Sequence, residues 1–306
     1  MKSDRNKKIF ARIDEGKKLI DRFRPLPPAV LSRLKRQFML EWTYNSNAIE
    51  GNTLTLKETM IVLEEGLTIG NKSLKEHLEV INHKEAIAFV ETLAESKTSI
   101  TERNIREIHN LVLKEIDQKY AGRYRDIMVR IAGATHVPPD PLLVPDMMRQ
   151  FVQTRLTRNQ GHPVEQAALA HLDLAGIHPF VDGNGRTSRL LMNLILMKQG
   201  YFPAIILKND RKRYYDSLDK GHKGQPGDFI FFVGRALERT LYLYLEAIPE
   251  VKTQFITLGH AAKISPYSKD YLNILARRGA IPAFKLKRNW LVSKESLLQY
   301  VKDHQH

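Results

Sequence analysis

The stretch HPFVDGNGRTSR, His178 to Arg189, brings together side chains and glycines that one phosphate-handling site could use. Gly183, Asn184 and Gly185 precede the apolar run TSRLLMNLILMK, so the backbone can turn sharply and aim successive N–H groups at the positive end of a helix dipole. That is a cradle for anions. Arg186 and Arg189 are three residues apart, close to one helix face, and their planar guanidiniums can grip phosphate oxygens in pairs. Asp182 adds one hard oxygen ligand, as magnesium needs when it leans on a carboxylate and substrate phosphates. His178, with an ordinary pKa of about 6.5, can take the proton of an attacking hydroxyl. Together these are the parts of a phosphoryl-type transfer site, although spacing alone does not say which phosphorus is attacked.

The elements that must hold these residues read as helices. Ile87, Val90 and Leu93 recur at helical spacing, as do Ile105, Ile108, Leu111 and Val112. Pro163 suits the first turn of a helix over VEQAALAHLDLAGI, and Gly200 stops the run that follows the cradle. The dodecamer is therefore expected between two buried helices of a mainly α protein. One stretch breaks the pattern: Ile127, Val129 and Ile131 alternate with Met128 and Arg130 before Gly133-Ala134, which predicts a short β-hairpin reaching to Val137. The helix over FIFFVGRALERTLYLYLEAI should end before Pro249. The organisation expected is an N-terminal helical segment (1–40), a main body (41–248) and a small C-terminal domain (251–306).

The 306 residues carry 48 Lys and Arg against 34 Asp and Glu, a formal charge of +14, which favours phosphate-bearing or polyanionic partners. There is no cysteine, which excludes disulfides, thiolate nucleophiles and thiolate metal sites. With no apolar run of signal-peptide or membrane-span length, the expectation is a soluble cytoplasmic protein that does not associate with a membrane.

HPFVDGNGRTSR matches throughout the signature HPFx[D/E]GNGRxxR, and on it the chain resembles the Fic family over about residues 40–245. The resemblance implies a Fic-type helical bundle that transfers AMP from ATP to a Ser, Thr or Tyr hydroxyl of a target protein and releases pyrophosphate. By it, His178 is the general base and Asp182 holds Mg2+. Gly183, Asn184 and Gly185 bind phosphate oxygens, Arg186 stabilises the transferred or leaving phosphates, and Arg189 holds the γ-phosphate. Family members of other chemistry lack the first glycine or an arginine, and this sequence keeps Gly183, Arg186 and Arg189, which favours AMP transfer over kinase chemistry.

Far upstream, Ser46, Glu50 and Gly51 in TYNSNAIEGNTLTL match the family's inhibitory [S/T]xxxE[G/N] pattern. Four residues apart on a helix, Ser46 can anchor it while Glu50 projects the same way and forms a paired ion pair with Arg189. The resemblance further implies that the Ile127–Val137 hairpin is a flap that takes a target segment as an added strand. Tyr214, Tyr215 and Leu218 match an adenosine-pocket pattern, and His222 stands where similar members carry Asn. Family members often form homodimers. Two other functions fit the same residues: removal of AMP from modified proteins, with Glu50 positioning a water, and a DNA-binding regulator whose Fic body senses nucleotide.

Residues 251–306 hold ten Lys and Arg against three Asp and Glu, a net +7. Their order is a helix over 257–264, a turn at SPYS, a helix closed by Gly279, a two-strand wing and a helix from Ser293. That is a winged helix, similar to excisionase-like and MerR-like DNA-binding modules. In those the second helix enters the major groove, here offering Lys269, Asn273 and Arg277, and the wing offers Lys285, Lys287 and Arg288. The module's expected partner is DNA or protein.

Overall fold

A computed structural model describes residues 2–131, 135–157, 161–278, 280–281, 283–286 and 289–304. In chain order its first helices are α1 (Lys2–Asp21), α2 (Pro28–Ile49), α3 (Leu56–Met60), α4 (Leu74–Glu95) and α5 (Glu102–Leu113). Next come α6 (Val144–Phe151), α7 (Pro163–Ile177), α8 (Asn184–Lys198), α9 (Arg211–His222) and α10 (Gly227–Ala247). The remaining elements are α11 (Pro249–Gln254), β1 (Phe255–Thr257), α12 (Leu258–Ala261), α13 (Lys269–Arg278), β2 (Ala283–Leu286), β3 (Asn289–Ser293) and α14 (Lys294–Asp303). The protein is mainly α, as the helical spacing of its apolar residues predicts.

Local sequence explains where these helices begin and end. Ser73 accepts the Glu76 N–H while the Glu76 carboxylate accepts the Ser73 N–H, closing a reciprocal cap on α4. Thr101 and Asn104 do the same for α5. Pro163 occupies the first turn of α7 behind the His162 cap. Gly200, in the left-handed region at φ 74°, ends α8, and the next N–H, of Tyr201, returns to the Leu196 carbonyl.

By internal packing the chain divides into Met1–Phe10 with Lys35–Leu237, and Ala11–Leu34 with Glu238–His306. The division follows packing rather than the punctuation at residue 40 and Pro249, since α1, α2 and α10 each run through a dividing point. Pro249 opens α11 as its first-turn proline. In the first unit α8 is the central element, buried from Arg186 to Ile195 and packed by α4, α5 and α7. The α4 and α5 stripes read from sequence face inward, with Ile87, Val90, Ile105, Ile108 and Val112 at 1% exposure or less. In the second unit Arg12 Nε donates to Glu238 Oε1 at 2.6 Å.

The expected hairpin differs. Residues 127–131 carry no strand, and its turn, Gly133-Ala134, lies outside the described residues. Alternating apolar residues supply a strand's pattern, but an isolated two-stranded ribbon is marginal in water, and among the described residues no strand pairs with this stretch.

The sheet found among the described residues is antiparallel, in the order β1-β3-β2, and lies in the C-terminal segment. Leu258, Leu272, Leu275, Val292 and Leu297 share one small core there. The elements there run β1, α12, α13, the antiparallel pair β2 and β3, and α14. Gly279, Lys287 and Arg288 lie outside the described residues, as does the side chain of Lys285.

Candidate active site at the N-terminus of α8

The loop between α7 and α8 is built from two left-handed residues. His178 caps α7 at φ 50°, a conformation that bulky L-residues rarely adopt, and Gly183 caps α8 at φ 75°. Strain of this kind persists where surrounding contacts over-determine it. Arg125 supplies many of them. Only 2% exposed, its guanidinium donates to the carbonyls of His178 (2.8 Å), Ile127 (3.1 Å) and Pro139 (2.5 Å), and its own N–H donates to Pro179 O at 2.9 Å.

His109 is the second support. Its ring stacks on Phe180 with centroids 3.6 Å apart, Nε2 lies 2.9 Å from Asp182 O, and Nδ1 accepts the Gly122 N–H at 3.0 Å. That tautomer is neutral: burial, against the pull of the Asp182 carbonyl, drives its pKa down to about 4. Asn184 closes the loop from inside, accepting the Phe180 N–H at 3.0 Å and donating to Phe180 O at 2.8 Å. Its side chain is thus spent on shaping the loop, which leaves the backbone to face an anion.

His178 Nδ1 lies 3.2 Å from the Ala175 carbonyl. A proton on that nitrogen donates to the carbonyl and leaves Nε2 with its lone pair, the acceptor a general base needs. Burial lowers the His178 pKa, the Ala175 carbonyl opposes this, and the Arg125 charge adds to the lowering. The ring is therefore neutral at pH 7.

Arg186 is 2% exposed, and its Nε and Nη1 have no hydrogen-bond partner. The Nη1–Glu79 Oε1 distance of 3.2 Å is an ion pair without hydrogen-bond alignment. Buried guanidinium donors aimed at nothing are costly unless a ligand arrives. Arg189, also 2% exposed, is fully engaged: Nε donates to Ser46 Oγ (3.0 Å), Nη2 to Ser46 O (2.8 Å) and Nη1 to Tyr214 Oη (3.3 Å). Glu50 Oε1 stands 2.7 Å from Arg189 Nη2. Burial works against the Arg189 charge, but the Glu50 carboxylate, with Tyr214 and Tyr215, more than reverses that and raises its pKa.

Ser46 takes the Nε edge of the fork, and the nearest approach of Glu50 is to Nη2. Glu50 also lies over the cradle itself, since a Cβ on Gly185 would collide with its Oε1. Gly51, at φ 106°, turns the chain directly afterwards.

Asp182 offers one open oxygen. Oδ1 accepts the Gly183 N–H at 2.6 Å, whereas Oδ2 lies 3.7 Å from Arg186 Nη2 and 4.0 Å from Lys75 Nζ. Among the described residues no cluster of three or more His, Cys, Asp or Glu could hold a metal ion. A metal here would rest on this carboxylate and on phosphate oxygens, a donor set that fits magnesium.

The structure divides the three residues of the adenosine pattern. Tyr214, 1% exposed, lies beneath Arg189 and also meets His171 Nε2 at 2.9 Å, so it supports a cradle arginine. Leu218 is buried and Tyr215 half-buried, with the Arg211 guanidinium 4.9 Å from the Tyr215 ring centre. His222 lies against His136, ring centres 4.3 Å apart, and both rings lie beside Gly176. Ile127 is exposed, while Val129 and Ile131 are half-buried.

Sequence reasoning missed Arg125, His109 and Glu79. His109 did leave a signal, as a histidine inside the apolar stripe Ile105, Ile108, Val112. Nothing marks Arg125 or Glu79 as buried.

Fold and site define a helical domain with a glycine-flanked turn and two buried arginines at the N-terminus of its central helix. The Fic/DOC family profile matches residues 99–196. Protein adenylyltransferase Fic of Nematostella vectensis is 40% identical over 260 residues, 83% of this chain and 58% of that protein. The protein of the same name from Drosophila grimshawi is 40% identical over 228 residues, 74% of this chain and 47% of its own. The chain thus spans about half the length of these curated relatives. Among solved structures, Fic-1 from C. elegans superposes with a TM-score of 0.73 at 35% identity, covering 80% of this chain and 73% of that one. A Fic domain containing signalling protein from Bacteroides thetaiotaomicron gives 0.71 at 30% identity, covering 80% and 97%. The chain belongs to the Fic/DOC family. No described helix is long and apolar enough to cross a membrane.

Proposed function

We propose that this protein transfers AMP from ATP to a Ser, Thr or Tyr hydroxyl of a target protein, and that Glu50 holds the resting enzyme inhibited. The observation that carries the reading is the His178 ring, tethered at Nδ1 by the Ala175 carbonyl so that Nε2 keeps its lone pair, in the same short loop that leads into α8 and its buried, unsatisfied Arg186. A structural histidine has no need of that neighbour.

In the reaction the target hydroxyl oxygen attacks the α-phosphorus and its proton passes to His178 Nε2. The bond from that phosphorus to the bridging oxygen of the β-phosphate breaks, and pyrophosphate leaves. Backbone N–H groups at the start of α8 and the Arg186 guanidinium stabilise the charge that builds on the phosphate oxygens. Arg189 holds the γ-phosphate once Glu50 withdraws. Asp182 would hold magnesium, which when bound neutralises charge on the phosphates.

Inhibition follows from competition for one guanidinium. While Glu50 occupies Arg189 and overhangs Gly185, the γ-phosphate lacks its cation, and ATP binds with its α-phosphorus out of line. The relatives' name, protein adenylyltransferase, agrees with this reading. The test is mass spectrometry of the Glu50→Gly protein after incubation with ATP and magnesium. An adduct of one AMP that disappears in Glu50→Gly/His178→Ala supports transfer. A phosphate adduct, or none on any protein offered, overturns it.

The basic C-terminal segment has a second reading, as a module that recruits DNA. Lys269, Arg277 and Arg278 are exposed on α13, the helix that enters the groove in modules of this order.

A further inference from the structure

Each cradle arginine has a carboxylate of its own, and the second one is shared with the turn that carries the first. Glu79, on α4, is 12% exposed, and its Oε1 lies 3.2 Å from Arg186 Nη1. Its other oxygen, Oε2, accepts the Asn52 side-chain N–H at 2.9 Å, and its backbone carbonyl accepts from Asn47 at 3.3 Å. Asn52 also donates to Glu76 O at 3.0 Å. Asn47 and Asn52 flank Glu50, three residues before it and two after. The segment bearing Glu50 is thus pinned to α4 at the same residue that faces Arg186.

Building upward from charge, a guanidinium as buried as Arg186 requires a counter-charge when no phosphate is present. Glu79 provides it, at a distance and angle that leave Nε and Nη1 unbonded. That is a weak hold, easily exchanged for a phosphate oxygen. Glu50 plays the corresponding part for Arg189. The two counter-charges are mechanically joined, because Asn52 ties the Glu50 turn to Glu79.

We infer that Glu79 is a positioning residue with two tasks: it stands in for phosphate at Arg186 in the nucleotide-free protein, and through Asn52 it keeps Glu50 over the cradle. Removing its charge leaves Arg186 with only the exposed Asp182 carboxylate, 3.7 Å away, until ATP arrives, so ATP binds more tightly to Glu79→Gln. Cutting the Asn52 tether leaves Arg186 alone and frees the Glu50 turn.

The inference rests on the transfer reading only for its second task, and the experiment separates the two. Calorimetry of ATP binding to the full chain needs no transfer: in the Glu50→Gly background, where Arg189 has no carboxylate to release, Glu79→Gln lowers the ATP Kd at least threefold while Asn52→Ala leaves it within twofold. An unchanged or weaker affinity for Glu79→Gln overturns the first task. Asn52→Ala should raise AMP transfer severalfold in the chain with Glu50 and leave it unchanged in the Glu50→Gly background, a dependence that general loss of structure would not produce. Equal effects in both backgrounds, or none in the first, overturn the second task. If Glu50→Gly itself transfers nothing, the transfer reading fails and the binding result still decides the role at Arg186. Thermal melts of each variant verify that it is folded, and Glu79→Asp, which keeps the charge, should restore the ATP affinity of Glu50→Gly alone if Glu79→Gln alters it through Arg186.

Discussion

Glu50 Oε1 and Arg189 Nη2 lie 2.7 Å apart, although the two residues stand far apart in the sequence. The pair sits where α2 ends against the second turn of α8, and Ser46 completes the Arg189 coordination. Glu50→Gly should raise transfer of labelled AMP by tenfold or more. Ser46→Ala, which removes one of the hydrogen bonds holding the pair, should have a smaller effect, since a hydrogen bond to a charged group contributes about 1.5–3 kcal/mol and the Ser46 carbonyl remains. Equal transfer by wild type and Glu50→Gly would remove the inhibitory role.

For His178 to serve as the proposed base, its ring must be neutral. Burial holds its pKa below 6.5, so transfer should stay level through neutral pH and decline only below that value, as protonation fills the Nε2 lone pair. His178→Ala should abolish transfer in either Glu50 background. A pH–rate profile of Glu50→Gly whose acidic limb lies above pH 7 would point to a different base.

Arg125 joins three carbonyls that no lysine can reach together. Arg125→Lys should destabilise the protein by about 2–4 kcal/mol, because buried acceptors lose their donors. It should also slow transfer at least tenfold, through a displaced His178. Denaturant unfolding and labelled-ATP kinetics on the same preparation read both effects, and unaltered kinetics in a folded variant would contradict the positioning role.

Stability should fall on mild acidification. His109 stays neutral in the fold with a pKa of about 4, while His83 and His171 are also held well below 6.5, in all three cases chiefly by burial. The unfolded chain takes up protons from about pH 6.5 downward and the fold does not, so stability is full above 6.5 and is lost as pH falls toward 4. For His109 alone the loss approaches about 3 kcal/mol. Urea unfolding at pH 7.5 and 5.5 measures it, and His109→Gln should flatten part of the slope.

If the C-terminal segment recruits DNA, duplex binding should appear at low salt and weaken steeply as salt rises, because the contacts release counterions from phosphates. Lys269→Ala/Arg277→Ala should reduce the affinity without altering AMP transfer. Absence of binding at low salt would leave a protein partner as the module's function.

The sequence by itself determined the mainly helical architecture and the sharp turn that opens α8, since both rest on short-range rules. Apolar residues at helical spacing specify which face is buried, and glycines before a helix fix a tight turn within a dozen residues. The motif matches also named Ser46 and Glu50, but spacing on one helix could not say which edge of the Arg189 fork Glu50 would meet. Only the tertiary structure decided that, because the approach of α2 to α8 puts Ser46 at the Nε edge and brings Glu50 to Nη2. The same holds for Arg125, His109 and Glu79. Their parts depend on which distant carbonyl or cation is brought within about 3 Å, and no periodicity records an approach between residues far apart in the chain. Residues 127–131 mark the converse limit: their alternation was legible, but a strand also needs a partner, which packing alone supplies.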